Sequence, residues 1–504
     1  MKMTQRKLGV ILSYISQFVK ILSGLIYTPV MLRILGSNEY GLYQLVSSTV
    51  AYLSLLSLGF TTAYVRFYTK AGRLGEEEVK KVNGMFMIIF LFMSFLCFIC
   101  GGFLILNAEH FFGGNLTASE YAEAKVLLAI LTAAMAVSFP CSVFSCNITA
   151  NEKFIFERAV DLLQNLLNPF ICLPLLLLGY GNIAICSVSL CLAVAKLFIS
   201  GNYCIKKLGM KFCFDTFDKS LFKEMSVFTF FIFINQIIDQ INWNVDKYLL
   251  GRFAGLMAVA VYGVGGQINS LYISFSNNVS SVFTPLINML AVEKENTNQL
   301  NALFIKVGRI QYMVIALIWS EFFLFGKRFV CLWAGRKYLD SYTVAMLLMT
   351  PMIVPLIQNI GIEIQRAKNK HQVRTCVYAG VAIINVLISI PFIKWFGPSG
   401  AALGTTISLI TGNILFMNFY YYFELGINVV EFWKNIFVLS IPIVLLDAAA
   451  YLAAFFISAD GWGAFLIMAF LFMGLYFMIL WFWGMNSYEK DMVVRIFRKM
   501  KVRV

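Results

Sequence analysis

Apolar segments of about 20 residues or more follow one another along the whole chain, joined by short polar connections. An α-helix needs about 20 predominantly apolar residues to cross the hydrocarbon core of a bilayer. With 60% hydrophobic and 13% charged residues, the composition excludes an ordinary soluble domain. We therefore predict an all-α polytopic membrane protein with about fourteen transmembrane helices. The predicted spans lie near residues 9–34, 41–67, 82–107, 122–148, 154–178, 183–204, 221–250, 257–289, 302–325, 341–364, 373–393, 400–423, 432–457 and 463–484.

Lysine and arginine residues are concentrated in every second connection between these segments. With the amino terminus placed in the cytoplasm, about 29 of the 40 basic residues fall in inside connections and about seven in outside ones. Cytoplasmic loops carry such an excess, so both termini are predicted to be cytoplasmic. The net charge of +14 is explained by this topology and by contact with anionic membrane lipids, and no nucleic-acid partner is expected.

A short internal repeat connects the two halves of the chain. Four residues recur with identical spacing at an offset of 217 residues, which spans six of the predicted helices (385 minus 168). The two copies therefore keep the same orientation, which predicts two parallel six-helix lobes with a site between them. The expected domains are an amino-terminal lobe 1–210, a second lobe 211–425, and two additional helices with a basic cytoplasmic tail in 426–504. The repeated pairs are Ala150 and Ala367, Lys153 and Lys370, Asn168 and Asn385, and Pro174 and Pro391.

The stretch Phe228–Leu290 begins as an apolar helix that nevertheless carries two strips of polar side chains. Residues spaced three or four apart share one face of a helix. Lipid cannot satisfy such faces, so they must lie against a water-filled cavity or a polar neighbouring helix, as in a transport pathway. The first strip consists of Asn235, Asp239, Asn242 and Asp246, and the second of Gln236, Gln240, Trp243 and Lys247.

The first predicted helix carries Gln17, Lys20 and Tyr27 at helical spacing, with Lys20 well inside the span. Ionisable residues within a membrane are costly and by default suggest a functional site. We favour a cation that faces an anionic substrate in a cavity. The alternative is a structural ion pair, for which Asp239 and Asp161 are the candidate partners.

Two further helices carry polar groups of interest. Arg66, near the end of the second helix, is interpreted either as an anchor at the inner membrane interface or as a phosphate ligand, because its planar guanidinium matches phosphate oxygens. In the fifth helix, Asp161, Gln164, Asn165 and Asn168 share one polar side.

Enzymatic and metal-binding patterns do not occur in the sequence. We find no P-loop, no HExxH motif and no nucleophile elbow. The two histidines, His110 and His371, are far apart and do not suggest a metal site. The chain is therefore predicted not to be an enzyme and to need no cofactor, although a proton or sodium ion remains a candidate coupling ion.

Three passages carry a resemblance to a known family. They are ILGSNEYGLYQLVSSTVAYLSLLSLGFTTAYVRF (34–67), INWNVDKYLLG (241–251) followed by AVAVYGVGGQI and SSVFTPLI, and IQRAKNKHQVRT followed by FGPSGAALGTTIS, within 362–409. These passages resemble the polysaccharide transporter branch of the MOP superfamily, the O-antigen (Wzx-type) flippases. The resemblance implies a MOP- or MATE-like fold in the bacterial inner membrane.

The resemblance also implies an activity. Such a protein moves polyprenyl-pyrophosphate-linked oligosaccharide units from the cytoplasmic to the outer leaflet by alternating access, for O-antigen, capsule or exopolysaccharide synthesis. Family members are thought to use cationic lumen residues for the pyrophosphate, and Lys20, Arg66 and Lys247 are the residues of that type in this sequence. Asp239 and Asp246 would either carry protons or pair with the lysines. A polysaccharide polymerase and a chain-length regulator are the expected partners, and a monomer would be sufficient.

Two alternatives remain open from the sequence. A multidrug cation exporter of the same superfamily would be expected to line its cavity with acidic residues. A membrane polymerase or ligase of lipid-linked glycans would be expected to present a large outside loop, whereas the longest outside connection, 107–121, is short.

Overall fold

The computed structural model describes residues 2–214, 219–281, 287, 289, 297–367, 371–454 and 461–501. The regular secondary structure of this described part is all helical, with no β-strand. Within it, eleven helices are long and apolar enough to cross a membrane, or twelve if the bent pair Ser341–Ile357 and Asn359–Arg366 forms one span. A helix satisfies all its backbone hydrogen bonds within one segment, which a lipid environment requires. The predicted all-α polytopic fold is confirmed.

The chain divides into two compact units, Met1–Gly263 and Val264–Val504. The helices of the first unit are α1 (Lys2–Ala51), α2 (Phe60–Ala71), α3 (Glu76–Leu106), α4 (Ala108–Phe112), α5 (Ala118–Ala150), α6 (Phe154–Leu177), α7 (Gly181–Lys206) and α8 (Lys219–Phe253), with a 3₁₀ segment, Tyr52–Ser57, between α1 and α2. Helix α9 (Leu256–Ser281) begins in the first unit and continues into the second. The second unit also contains α10 (Thr297–Trp333), a 3₁₀ turn (Arg336–Tyr338), α11 (Ser341–Ile357), α12 (Asn359–Ala367), α13 (His371–Leu409), a π-helix (Ile410–Phe416), α14 (Met417–Phe423), α15 (Val429–Ala454), α16 (Trp462–Ile479), a second π-helix (Leu480–Gly484) and α17 (Ser487–Lys501).

Two apolar helical stretches are much longer than one membrane crossing. Leu12–Ala71 has 60 residues and Val373–Phe423 has 51, whereas about 20 suffice for a span. Each contains a glycine with left-handed φ, Gly36 at 78° and Gly397 at 56°, a conformation that glycine adopts without a Cβ clash. Each stretch therefore contains two helices that meet at a kink, at the predicted limits near residues 34–41 and 393–400, whereas the eleven or twelve candidate spans do not confirm the predicted number of fourteen.

One helix end repeats at the same interval as the sequence. Helix α7 ends at residue 206 and α14 at 423, an offset of 217 residues (423 minus 206). The internal repeat thus includes an observed helix end as well as a few identical residues. The predicted domain limits at 210 and 425 stay a prediction, because the compact units follow packing rather than this repeat.

Polar contacts hold the segment after α7 against one end of the first unit. The Tyr64 hydroxyl donates to Asn83 Oδ1 at 2.6 Å and accepts from Asn147 Nδ2 at 2.8 Å. Asn83 Nδ2 in turn donates to the Lys211 carbonyl at 3.0 Å. Four parts of the chain, α2, α3, α5 and this segment, are therefore joined around one buried tyrosine.

The second unit has its apolar core around α10. Phe304 is fully buried and lies 4.8 Å from Phe432, measured between ring centroids. Further along α10, Phe325 packs edge-on against Phe472 of α16, and the Tyr476 hydroxyl donates to the Met313 carbonyl at 2.8 Å. Helices α15 and α16, which were predicted as additional helices, are therefore packed directly onto α10.

The predicted basic tail forms helix α17, which is attached to the second unit by a buried ion pair. Arg309 Nε donates to Glu489 Oε1 at 2.6 Å, and Nη2 donates to Oε2 at 2.9 Å. The same guanidinium also donates to the Gly484 carbonyl at 3.0 Å and to the Asn435 carbonyl at 3.2 Å. One arginine of α10 thus fixes the start of α17.

Candidate functional site

An open cavity of about 320 Å³ lies between α1, α6 and α7 in the first unit. Most of its lining side chains are polar, and Lys20 is the charged residue of that lining. In an apolar helical unit such a concave polar site is the default place to expect a ligand. The lining comprises Lys20 and Ser23 from α1, Gln164, Asn165, Asn168 and Pro169 from α6, and Ser189, Leu192 and Ala193 from α7.

Amide side chains of α6 connect the three helices around the cavity. Asn165 Nδ2 donates to Ser16 Oγ of α1 at 3.2 Å, and Gln164 Nε2 donates to the Leu192 carbonyl of α7 at 3.0 Å. Asn168 Oδ1 accepts a weak bond from the Cys172 thiol at 3.8 Å. Each amide has both donor and acceptor groups, so these contacts use only part of its capacity and leave groups for a ligand.

Lys20 is exposed to the cavity, and its ammonium makes no hydrogen bond or ion pair with any residue that the structure describes. The pairing with Asp161 considered from the sequence is wrong. Asp161 Oδ1 accepts from Lys196 Nζ at 2.8 Å, and Oδ2 accepts from Arg158 Nη1 at 3.4 Å. Lys196 also lies 3.8 Å from Glu157. Asp161 thus belongs to an ion-pair network with Lys196 and Arg158.

Gln236 and Gln240 of the second polar strip of α8 face a polar neighbouring helical segment, one of the two predicted environments, whereas Trp243 of the same strip is 51% exposed. Gln240 Nε2 donates to Ser54 Oγ at 3.0 Å, and the Ser57 hydroxyl donates to Gln236 Oε1 at 3.4 Å. Asn244 Nδ2 extends the network by donating to Gln240 Oε1 at 2.6 Å. These side chains thus bind the 3₁₀ segment between α1 and α2.

Lys247 continues this strip towards the end of α8. Its Nζ donates to Gln44 Oε1 at 3.0 Å, and Gln44 Nε2 donates to the Tyr40 hydroxyl at 2.7 Å. The possible pairing of Lys247 with Asp246 is wrong, because Asp246 is buried on the adjacent face and accepts from the Tyr262 hydroxyl at 2.6 Å. Both lysines proposed for the site are therefore without a carboxylate partner in the described part of the chain.

The first polar strip of α8 has mixed surroundings. Asp239 is exposed, Asn235 and Asn242 are partly exposed, and Asp246 is 2% exposed. The strip therefore does not face a cavity along its whole length, because Asp246 is buried within the first unit. The roles predicted for Asn235, Asn242 and Asp239 in ligand binding or ion coupling stay predictions.

Arg66 lies where α2 meets the beginning of α8. Its guanidinium carbon is 4.4 Å from the centre of the Phe228 ring, a cation–π contact, and the side chain is otherwise exposed. One turn later, Lys70 forms an exposed ion pair with Glu224 at 2.9 Å. This position fits an anchor between two helix ends, and the phosphate-binding role stays a prediction.

Gln17 and Tyr27 share α1 with Lys20 but do not line the cavity. Tyr27 has a buried hydroxyl that lies beside the Cys172 thiol of α6, so it packs between helices. Ser23 and Ser189, which the sequence analysis did not select, do line it. Small hydroxyl residues are common in membrane helices, so only the position of α7 against α1 and α6 identifies them.

The described residues contain no group of three His, Cys, Asp or Glu side chains that could hold a metal ion. The chemistry available at the cavity is therefore that of an ammonium group surrounded by amides and hydroxyls. Such groups bind oxyanions through charge-assisted hydrogen bonds and bind sugars through neutral ones.

Solved structures of two kinds share this fold. A lipid II flippase, MurJ, in an inward closed conformation aligns with a TM-score of 0.74 and 16% identity, over 96% of this chain and 99% of that one. An inward-facing multidrug resistance MATE family transporter of the MOP superfamily aligns with a TM-score of 0.61 and 14% identity, over 84% of this chain and 99% of that one. At these identities the likeness concerns the fold, and it confirms the predicted MOP- or MATE-like architecture.

Sequence relatives point to the same class of protein. A Shigella flexneri protein provisionally named an O-antigen transporter is 20% identical over 395 residues, or 76% of this chain and 90% of its own length. The uncharacterized membrane protein EpsK of Bacillus subtilis is 22% identical over 485 residues, or 94% of each chain. The similar proteins with a named activity are transporters or flippases, in agreement with the prediction that this chain is not an enzyme.

A family-level match covers the part of the chain that contains the cavity. The sequence profile of the family described as polysaccharide biosynthesis protein matches residues 7–291, which is more than half of the 504 residues. The matched region includes all of α1 to α8 except the first few residues of α1. The chain therefore belongs to the polysaccharide biosynthesis protein family.

Proposed function

We propose that this chain is a flippase for polyprenyl-pyrophosphate-linked oligosaccharides, which it moves from the cytoplasmic to the outer leaflet of the bacterial inner membrane. The observation that carries this proposal is Lys20, a cation without a partner among the described residues, exposed on a polar cavity of about 320 Å³ inside an apolar helical unit. An uncompensated charge at such a position is costly unless a ligand of opposite charge uses it.

The cavity lining fits the two polar parts of such a substrate. The ammonium of Lys20 would neutralise a phosphate oxygen, while Gln164, Asn165 and Asn168 offer amide groups to sugar hydroxyls. The polyprenyl chain needs no polar partner and would remain in the lipid. Both polar parts could then cross by alternating access without entering the hydrocarbon phase.

A cationic drug is a poorer fit to this lining. The charged residue of the cavity is a lysine, and the Asp161 carboxylate on α6, the helix that supplies most of the lining, is already bound by Lys196 and Arg158. A cation exporter needs a carboxylate that is not already paired in order to bind its substrate. The positive charge of Lys20 would instead repel a cationic drug. Membership of a polysaccharide biosynthesis family supports the same choice.

A reconstitution experiment tests the function directly. The purified protein would be placed in liposomes that contain a polyprenyl-pyrophosphate-linked oligosaccharide in both leaflets, and an external glycan-cleaving enzyme would report the accessible fraction. We expect that fraction to rise from the outer-leaflet share to nearly the whole pool, while protein-free liposomes stay at the outer-leaflet share. If the pool stays protected while a fluorescent organic cation is exported, the protein is a drug transporter.

We propose further that Asp239 couples transport to a proton gradient, since it is an exposed carboxyl on the polar strip of α8. Asp239→Asn keeps the side-chain shape and removes the titratable group. We expect this variant to flip substrate at the gradient-independent rate and to lose its acceleration by a proton gradient. The matched control is Glu224→Gln, an exposed acid on the same helix in a surface ion pair. Equal gradient responses in wild type and Asp239→Asn would remove Asp239 from coupling.

A flippase of this kind would pass its product to a polysaccharide polymerase and a chain-length regulator, which use the same lipid-linked units in the outer leaflet. The cavity is formed within one chain, by α1, α6 and α7, so a monomer is sufficient for substrate binding.

A further inference from the structure

Lys247 is a second intramembrane cation, and its surroundings differ from those of Lys20. The ammonium donates one hydrogen bond, to Gln44 Oε1 at 3.0 Å, and makes no ion pair with any residue in the described part of the chain. The side chain is partly exposed rather than sealed. An ammonium has three N–H donors, so two remain for a ligand.

Gln44 is itself fixed in one orientation. Its Nε2 donates to the hydroxyl of Tyr40, one turn earlier on α1, at 2.7 Å, and the Tyr40 side chain is 0% exposed. Gly263 packs so closely that a side-chain carbon at that position would contact both Gln44 and Tyr40. Since the amide nitrogen is bound to Tyr40, the carbonyl oxygen must point towards Lys247.

This arrangement positions a charge without neutralising it. A carboxylate at residue 44 would also accept a hydrogen bond from Lys247, but it would cancel the positive charge. A neutral amide leaves that charge available to an incoming anion, at the expense of a less stable empty site. Asp246, the adjacent residue of α8, is turned away and bound by Tyr262, so it does not supply the missing counter-charge.

We propose that Gln44, held by Tyr40, is a positioning residue that keeps Lys247 oriented and uncompensated as a phosphate-binding cation. This inference rests on the proposed function, because it gives Lys247 a role in recognition of the pyrophosphate group. The competing explanation is that the Tyr40–Gln44–Lys247 chain is only a brace between α1 and α8.

The variant Gln44→Glu separates these two explanations. A brace would be strengthened by a charged acceptor, so a purely structural role predicts normal transport and equal or greater thermal stability. A positioning role predicts equal or greater thermal stability together with loss of anion binding, because Lys247 would then be neutralised. We expect the apparent affinity for inorganic pyrophosphate to fall about 10-fold or more and flipping to fall in parallel.

The probe is inorganic pyrophosphate added to the purified full-length protein in detergent, with its effect on the melting temperature as the readout. Pyrophosphate should stabilise the wild type and should have little effect on Gln44→Glu. The variant Gln44→Leu, which removes the acceptor and adds no charge, should be intermediate. In a Lys247→Met background, Gln44→Glu should cause no further loss, because both substitutions act through the same ammonium.

Two results distinguish this inference from the proposed function. If Gln44→Glu binds pyrophosphate and flips substrate as the wild type does, the positioning role is wrong and the flippase stands. If pyrophosphate binding responds as expected but the wild type moves no lipid-linked oligosaccharide, the anion site stands and the flippase proposal fails. Additive losses in the Lys247→Met background would also overturn the positioning role.

Discussion

Replacing Lys20 with alanine is expected to remove most of the transport while leaving the protein folded and inserted. The ammonium makes no hydrogen bond or ion pair with the described residues, so its removal leaves no partner among them unsatisfied. A charge-assisted hydrogen bond to an anion contributes about 1.5–3 kcal/mol, so the loss should be about 10- to 100-fold in substrate affinity or flipping rate. The measurement is glycan accessibility in proteoliposomes at subsaturating substrate.

Two companion variants sharpen this experiment. Lys20→Arg keeps a cation of different shape and should retain part of the activity, because the charge rather than the exact donor geometry is the main contribution. Lys125→Ala is the matched control, since Lys125 forms an exposed ion pair with Glu109 at 2.8 Å and surface pairs contribute little. Wild-type flipping by Lys20→Ala would exclude Lys20 from the mechanism and remove the main support for the proposed function.

Sequence periodicity predicted which side chains share a helical face, and the structure agrees for α6. Gln164, Asn165 and Asn168 were expected on one side, and they line one cavity. Periodicity does not identify which helix will pack against a given face. The ion-pair partners of charged groups were therefore predicted poorly. Asp161 was considered for Lys20 on α1, yet α7 follows α6 directly and brings Lys196 within 2.8 Å of it.

The breaks near Gly36 and Gly397 were predictable from the sequence. Hydropathy finds an interruption at each position, which predicts separate helices on either side. In the structure both glycines have a non-helical backbone with positive φ, 78° at Gly36 and 56° at Gly397, and a helix lies on each side of the kink. Glycine adopts this conformation without a Cβ clash, so one residue is enough to separate two helices.

Gln44 illustrates what a single sequence does not reveal about a site. It is the one amide in GLYQLVSS, and the residues three and four positions away are Tyr40, Gly41, Ser47 and Ser48, none of which is charged. Its importance follows from contacts with Tyr40 and Lys247, and Lys247 is more than 200 residues away in the chain. Only the packing of α8 against α1 makes these three residues neighbours.

The variant Glu489→Gln is expected to weaken the attachment of α17 strongly. Glutamine can still accept a hydrogen bond from the backbone N–H of Asn486, as Glu489 does at 2.9 Å, so the helix cap is retained. What is lost is the counter-charge of Arg309, which is only 6% exposed. Leaving one member of a buried pair without its partner costs about 3–5 kcal/mol.

Limited proteolysis and hydrogen exchange of α17 would measure this loss, together with the melting temperature of the full-length protein. The control is Glu77→Gln, which removes an exposed i,i+3 pair with Lys80 and should leave the free energy of unfolding nearly unchanged. A small effect of Glu489→Gln, equal to that of the control, would show that water reaches Arg309.

The double variant Arg309→Met with Glu489→Leu tests whether the ion pair stabilises the attachment of α17 or fixes its orientation. Apolar residues of similar volume often replace a buried pair at little cost, because both desolvation penalties disappear with the attraction. We therefore expect the double variant to be more stable than Glu489→Gln alone. If α17 is then protected but attached less specifically, with cleavage spread over several sites near Ser487, the pair serves orientation rather than stability. If protection and cleavage pattern both return to normal, apolar packing against α10 is sufficient to place the helix.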